Sequence, residues 1–341
     1  MKCIRLMAMV IAGMSIASNR ISAAELVTID LTQWKAPDIS TAGEDPFGQL
    51  VKYGHALFSN TANELGPAVS DPAKRFAGNN LTCQNCHLQA GTQPYAMPML
   101  GVWGQFPQYR GREGTVATLE ERVNGCMERS MNGRPLPLES REMKAFSSYM
   151  RWLSTGIPDG AKLHGAGTLR IKEPDRAADS GRGAGIYAKA CAACHGADGS
   201  GQRAQTGLGY QFPPLWGPDS YNNGAGMTRH LTAAGYALHN MPLGTRFDSP
   251  LLTDDEAYDV AAYLVSQKRP EKANLEKDYP IRLQKPIDSP YGPYADDFPA
   301  EQHKLGPFGP IRTKVRELAS GSRTANAGGS DDGSYRADDM R

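Results

Sequence analysis

Apolar side chains along this chain recur at helical spacing in short clusters, separated by long stretches rich in glycine, proline and polar residues. Phe47, Leu50, Tyr53, Leu57 and Phe58 predict an N-terminal helix. A second is predicted from Thr118 to Met131. A third runs through Met143, Phe146, Met150 and Leu153 until Gly156 and Pro158 stop it. Ser180 to Ala190, with Ile186 and Tyr187, predicts a fourth. Thr253 and Glu256 form a capping-box pair ahead of a fifth, which carries Ala257, Val260, Ala261 and Leu264. The order of helix, long loops and closing helix therefore occurs twice, in residues 45–160 and again in 180–269, with a polar linker at 161–179 that contains His164. Beyond Pro270 the prolines at 280, 286, 290, 293 and 299 break any long element. Residues 270–312 are expected to pack as an extended arm over one domain. From Leu318 onward the Ser320-Gly321-Ser322 and Gly328-Gly329-Ser330 stretches read as disordered.

Composition changes this picture in two ways. A modest 40% hydrophobic content, with 24 prolines and 37 glycines, suits small loop-rich domains whose cores are completed by a large apolar cofactor. The net charge of +1, with no basic stretch interleaved with aromatics, argues against nucleic acid as a partner. Lys2 and Arg5 precede an apolar run from Leu6 to Ala17, and Ser22-Ala23-Ala24 offers small residues for cleavage, so residues 1–24 read as a signal peptide. That run is too short to span a bilayer, so no transmembrane anchor is expected and the mature chain is placed in the periplasm. Cleavage would remove Lys2, Arg5 and Arg20 and change the formal charge from +1 to -2. Any anionic substrate must then be held by local arginines.

The chemistry enters with two pentapeptides, Cys83-Gln84-Asn85-Cys86-His87 and Cys191-Ala192-Ala193-Cys194-His195. Each is an attachment sequence for a covalent c-type haem: two thiols bond the macrocycle and the histidine ligates the iron. A four-cysteine zinc site would leave the repeated histidine without a reason. Two haem c groups are expected, one in each half. The architecture is then mainly α, two small helical domains similar to class I cytochrome c, each wrapped around a haem, with an irregular C-terminal extension.

The ligand on the far side of each iron separates a carrier from an enzyme. For the second haem Met241, in the sequence Asn240-Met241-Pro242-Leu243-Gly244, is the leading candidate, with Met227 and His239 as rivals. For the first haem Met97, Met99, Met127 and Met131 compete with Cys126. A thiolate would lower the iron potential. Arg122, Cys126 and Ser130 lie at i, i+4 and i+8, on one helix face. A thiolate between a guanidinium and a hydroxyl suits an anion better than it suits an apolar core, whereas Glu128 and Arg129 point elsewhere and read as solvated. Arg110 and Arg112 stand just upstream and offer further forked donors for an oxyanion.

These stretches together resemble the dihaem thiosulfate dehydrogenase family, whose members couple two thiosulfates to tetrathionate or run the reverse reaction. The likeness rests on residues 81–92 (LTCQNCHLQAGT), 106–114 (FPQYRGREG), 118–133 (TLEERVNGCMERSMNG) and 240–244 (NMPLG), and it spans about residues 45–270. It implies His87/Cys126 ligation of the first haem, with the substrate on the distal face beside Arg112, Arg122 and Ser130. It also implies His195/Met241 ligation of the second, and an external cytochrome c or other periplasmic protein as electron acceptor. Asn240 stands where some members carry a switching lysine, so plain methionine ligation is implied. A covalent Cys126 thiosulfate adduct is one chemical route through such a site. A dihaem electron carrier and a cytochrome that conjugates thiosulfate to a carrier protein are the competing readings.

Overall fold

The computed structural model describes residues 27–326, and the expected signal peptide, residues 1–24, lies outside them. A short strand β1 (Thr28–Asp30) precedes helix α1 (Pro46–Ser59) and its continuation α2 (Thr61–Leu65). Asp45 starts α1 by accepting hydrogen bonds from the free amides of Phe47 and Gly48, and Pro46 occupies the first turn, where no donor is needed. A single turn, α3 (Leu88–Gly91), follows the first haem motif. Next come an antiparallel hairpin of β2 (Gln108–Arg110) and β3 (Thr115–Ala117), helix α4 (Leu119–Arg129) and helix α5 (Arg141–Leu153). Thr118 and Glu121 satisfy each other's amides in a capping box, which fixes where α4 begins. Strand β4 (Lys162–His164) then pairs in parallel with β1. This strand pair ties the linker to the first half.

The second half contains α6 (Ser180–Ala190), α7 (Ala192–His195), the small hairpin β5 (Gln202–Arg203) with β6 (Tyr210–Phe212), α8 (His230–Asn240) and α9 (Asp254–Ser266). In each half the first long helix crosses the last, α1 on α5 and α6 on α9. Glycine makes both crossings close. A Cβ on Gly54 would stand 2.0 Å from the Ala145 carbonyl oxygen, and one on Gly183 would stand 2.0 Å from that of Asp259. Around the first crossing Val51, Leu57, Phe58, Phe146 and Leu153 are buried, each contributing about 1.5–3 kcal/mol.

Two features depart from the sequence expectations. Helix α8 was not foreseen, because eight of its eleven residues are buried, leaving no polar stripe to mark a helical period. The C-terminal region is also more ordered than its prolines suggest. Helices α10 (Ala300–Leu305) and α11 (Phe308–Asn326) replace the expected extended arm and reach into the segment read as disordered from Leu318. The reason is burial: Phe308, Ile311 and Val315, at i, i+3 and i+7, form one core with Tyr258, Ala261 and Val265 of α9. Among the described residues no helix is long and apolar enough to cross a membrane.

Candidate haem sites

The first motif opens onto a cavity of about 380 Å³ between α4, α5 and the loop after α3. Its lining includes Cys83, Cys86 and His87, with Phe58, Leu100, Phe106, Phe146 and Met150 supplying an apolar wall. His87 Nδ1 lies 2.6 Å from the Met97 carbonyl oxygen, which can only accept, so this nitrogen carries the proton and Nε2 is left free as a donor to iron. Met97 and Tyr95 hold positive φ values of 53° and 58°, and this strained backbone brings the carbonyl to His87. Met97 therefore serves the histidine side through its main chain.

Cys126, on the last turns of α4, lines the same cavity and lies within hydrogen-bonding reach of the His87 ring. Arg122, one turn earlier, donates from Nη1 to the Cys126 sulfur at 2.9 Å. Burial pushes this thiol up, while the charge of the Arg122 guanidinium and its hydrogen bond to the sulfur pull it down, and the pull prevails. Burial instead pushes the attachment thiols of Cys83 and Cys86 up to about 12 and about 11. The Cys126 sulfur is thus set apart from the other two, drawn toward its anionic form by Arg122 and facing a histidine. Two anchoring thiols, an oriented imidazole, an apolar box and a facing sulfur donor together fit a c-type haem.

Ser130, which caps α4, also lines this cavity, as do Arg110 and Arg122. Burial and the nearby charge of Arg122 push the Arg110 guanidinium down. Arg112 is placed differently. It is absent from the cavity lining; its Nε donates to the Tyr279 hydroxyl at 3.2 Å and its carbonyl accepts from the Tyr279 amide at 2.7 Å. Arg129 also corrects the sequence reading, because it is only 8% exposed and is not solvated. Its guanidinium makes a two-pronged pair with Asp278 at 2.7 and 2.9 Å.

In the second half His195 is buried, and its Nδ1 lies 2.8 Å from the Pro213 carbonyl oxygen, repeating the His87 arrangement. Tyr187, Leu215, Trp216, Ala237 and Val260 form the apolar cluster around Cys191. Met241 follows the last residue of α8 in extended conformation. Its rivals are engaged elsewhere. Met227 lines the first cavity, and both His239 ring nitrogens face carbonyl oxygens, those of Phe247 and Arg170. The donor set and the oriented histidine fit a second c-type haem.

The halves interlock at the first site. Tyr221, Ala225 and Met227 from the second half, and Leu163, Ala166 and Gly167 from the linker, close the first cavity. From α8, Tyr236 donates to the Cys86 carbonyl at 2.9 Å and Asn240 donates to the Tyr95 carbonyl at 3.1 Å. Sequence reasoning missed these contacts, since nothing local marks a meeting of residues this far apart along the chain.

Fold and site together define a c-type cytochrome with a third cysteine and two arginines at one of its centres. Residues 73–158 match the SoxA/TsdA cytochrome c domain and residues 180–268 match the cytochrome c domain. The chain is 42% identical to a thiosulfate dehydrogenase of Allochromatium vinosum over 254 residues, covering 73% of this chain and 87% of that protein. It is 38% identical to one of Stutzerimonas stutzeri, covering 80% and 87%. The solved thiosulfate dehydrogenase (TsdBA) of Marichromatium purpuratum aligns with a TM-score of 0.65 at 39% identity, covering 71% of this chain and 51% of that one. The chain belongs to the thiosulfate dehydrogenase family.

Proposed function

We propose that this protein oxidises thiosulfate in the periplasm, joining two molecules into tetrathionate and passing two electrons through two c-type haems to an external cytochrome c or similar acceptor. The observation that carries this reading is Cys126 opposite His87, flanked by Arg122, Arg110 and Ser130 around one cavity. His87 and Cys126 would hold the first haem, and His195 and Met241 the second. When bound, the haems accept the two electrons one at a time.

The protein's own task is to bring two dianions together. At an effective dielectric of about 20 and sulfur separations of a few Å, their repulsion is on the order of 10 kcal/mol. A chain with little net charge supplies no general attraction, so fixed local cations must offset this term. Arg110 and Arg122 present guanidinium forks at the cavity wall, and the Ser130 hydroxyl donates to a sulfonate oxygen. The apolar wall of Leu100, Phe106 and Met127 keeps water from screening these charges. Arg112 supports this wall from behind, where it is held by Tyr279.

The test is stoichiometric. Haem-loaded protein given thiosulfate and ferricyanide is expected to release one tetrathionate for every two electrons accepted. Thiosulfate consumption that requires a carrier protein's cysteine and yields no free tetrathionate would overturn the reading in favour of conjugation.

A further inference from the structure

We propose that the dipeptide Asp278-Tyr279, in the region beyond the second cytochrome domain, is a positioning clamp for the anion-binding wall of the first haem site. The inference rests on the functional reading above for its kinetic arm, but not for its spectroscopic one. Two elements make that wall: α4, which carries Arg122, Cys126 and Ser130, and the β2–β3 hairpin, which carries Arg110. Neither element touches the other through a charged pair; each is gripped by one half of the dipeptide.

Asp278 holds α4. Its carboxylate accepts both Arg129 prongs, at 2.7 and 2.9 Å, with each side chain only 10% exposed, and it also accepts from the Tyr291 hydroxyl at 2.7 Å. Arg129 lies one helical turn after Cys126, so its position sets where α4 presents the sulfur. A buried guanidinium that lost this partner would have to move or recruit water.

Tyr279 holds the hairpin. Its amide donates to the Arg112 carbonyl at 2.7 Å, and its hydroxyl accepts from Arg112 Nε at 3.2 Å. Gly111 and Gly114 let the chain come close. A Cβ on Gly114 would meet Pro280 at 2.4 Å, and one on Gly111 would meet Gln284 at 2.9 Å. Tyr279 itself has φ of 57°, which a bulky side chain adopts only when its surroundings impose it. Those surroundings are visible: Lys285 is buried with its ammonium 5.9 Å from the Tyr279 ring and 4.6 Å from that of Tyr291, and it donates to the Pro293 carbonyl at 3.1 Å. Arg282 donates to the carbonyl oxygens of both Asp278 and Tyr279, at 2.7 and 2.9 Å.

The experiment compares Tyr279→Phe and Asp278→Asn with Arg312→Gln in the full haem-loaded chain. Arg312→Gln breaks another ion pair of the C-terminal region, to Glu173, that does not face the first site. Tyr279→Phe removes one hydroxyl and keeps the backbone bond, so KM for thiosulfate is expected to rise about three- to tenfold, with kcat within a factor of about two. Asp278→Asn is expected to shift the ferric electron paramagnetic resonance signal of the first haem while leaving that of the second unchanged. Arg312→Gln is expected to alter neither readout. Wild-type KM and first-haem signal in both clamp variants would overturn the proposal, as would the same changes in Arg312→Gln. If Asp278→Asn does not accumulate with haem, Tyr279→Phe decides through its KM and first-haem signal. If the wild type forms no tetrathionate, the functional reading fails, and the first-haem signal still judges the clamp.

Discussion

The two halves share one scaffold and differ in what faces the histidine. Gly54 and Gly183 each let a pair of helices cross at backbone contact, and His87 and His195 each point one ring nitrogen at a main-chain carbonyl. The second half surrounds its motif with an apolar cluster of Tyr187, Leu215, Trp216 and Val260. The first half confronts its motif with Cys126 and two arginines, in a cavity closed partly by the other half and by the linker. On the function proposed above, the shared scaffold serves haem binding in either half and the residues on the far wall set reactivity. In that proposal Met241 suits the second half to electron passage, and the arginines around Cys126 suit the first to an anionic substrate.

Replacing Cys126 by glycine should break the contrast most. Turnover of thiosulfate to tetrathionate is expected to fall at least about a hundredfold, with the first-haem spectrum altered and the second intact. Unchanged spectrum and turnover would remove Cys126 from both of its roles. Next in size, Arg122→Gln removes a charged donor from the anion wall. A loss in kcat/KM of roughly ten- to a hundredfold is expected, read from initial rates over a thiosulfate series.

On the other side of the comparison, Met241→His should lower the second-haem potential by roughly a hundred millivolts or more while sparing the first, as followed by a spectroscopic redox titration. Equal shifts at both haems would show that the centres are not independently ligated. The shared feature can be tested by Gly54→Ala and Gly183→Ala. Each forces a methyl into a carbonyl 2.0 Å away and is expected to cost about 1–3 kcal/mol by denaturant unfolding. A neutral result at one crossing only would mean that the halves are not built alike. The smallest effect is expected from Val315→Ala, about 1 kcal/mol or slightly more, because it trims the buried face of α11 without touching either site. By the same burial, cutting the chain at 313 removes part of that core and is not expected to be neutral.

Much of the scaffold was legible because its signals are local. Asp45, Thr118 and Thr253 mark helix starts through bonds to amides two or three residues away, and α6 spans the residues its sequence predicts. Helix α8 was hidden because burial on nearly all sides erases the period that exposes a helix. The helical order of α11 was obscured by serine and glycine, and only the buried face of Phe308, Ile311 and Val315 explains it.

The same division holds at the sites. Chain order alone places two thiols and a histidine within five residues, and a helical repeat aligns Arg122, Cys126 and Ser130 on one face, because covalent spacing fixes those distances. No spacing rule could say that Arg129 finds Asp278 149 residues away, that Met227 belongs to the first cavity, or that Arg110 rather than Arg112 lines it. Those pairings depend on how two domains and a C-terminal region fold against one another. A buried guanidinium must take whatever carboxylate the tertiary structure brings within reach.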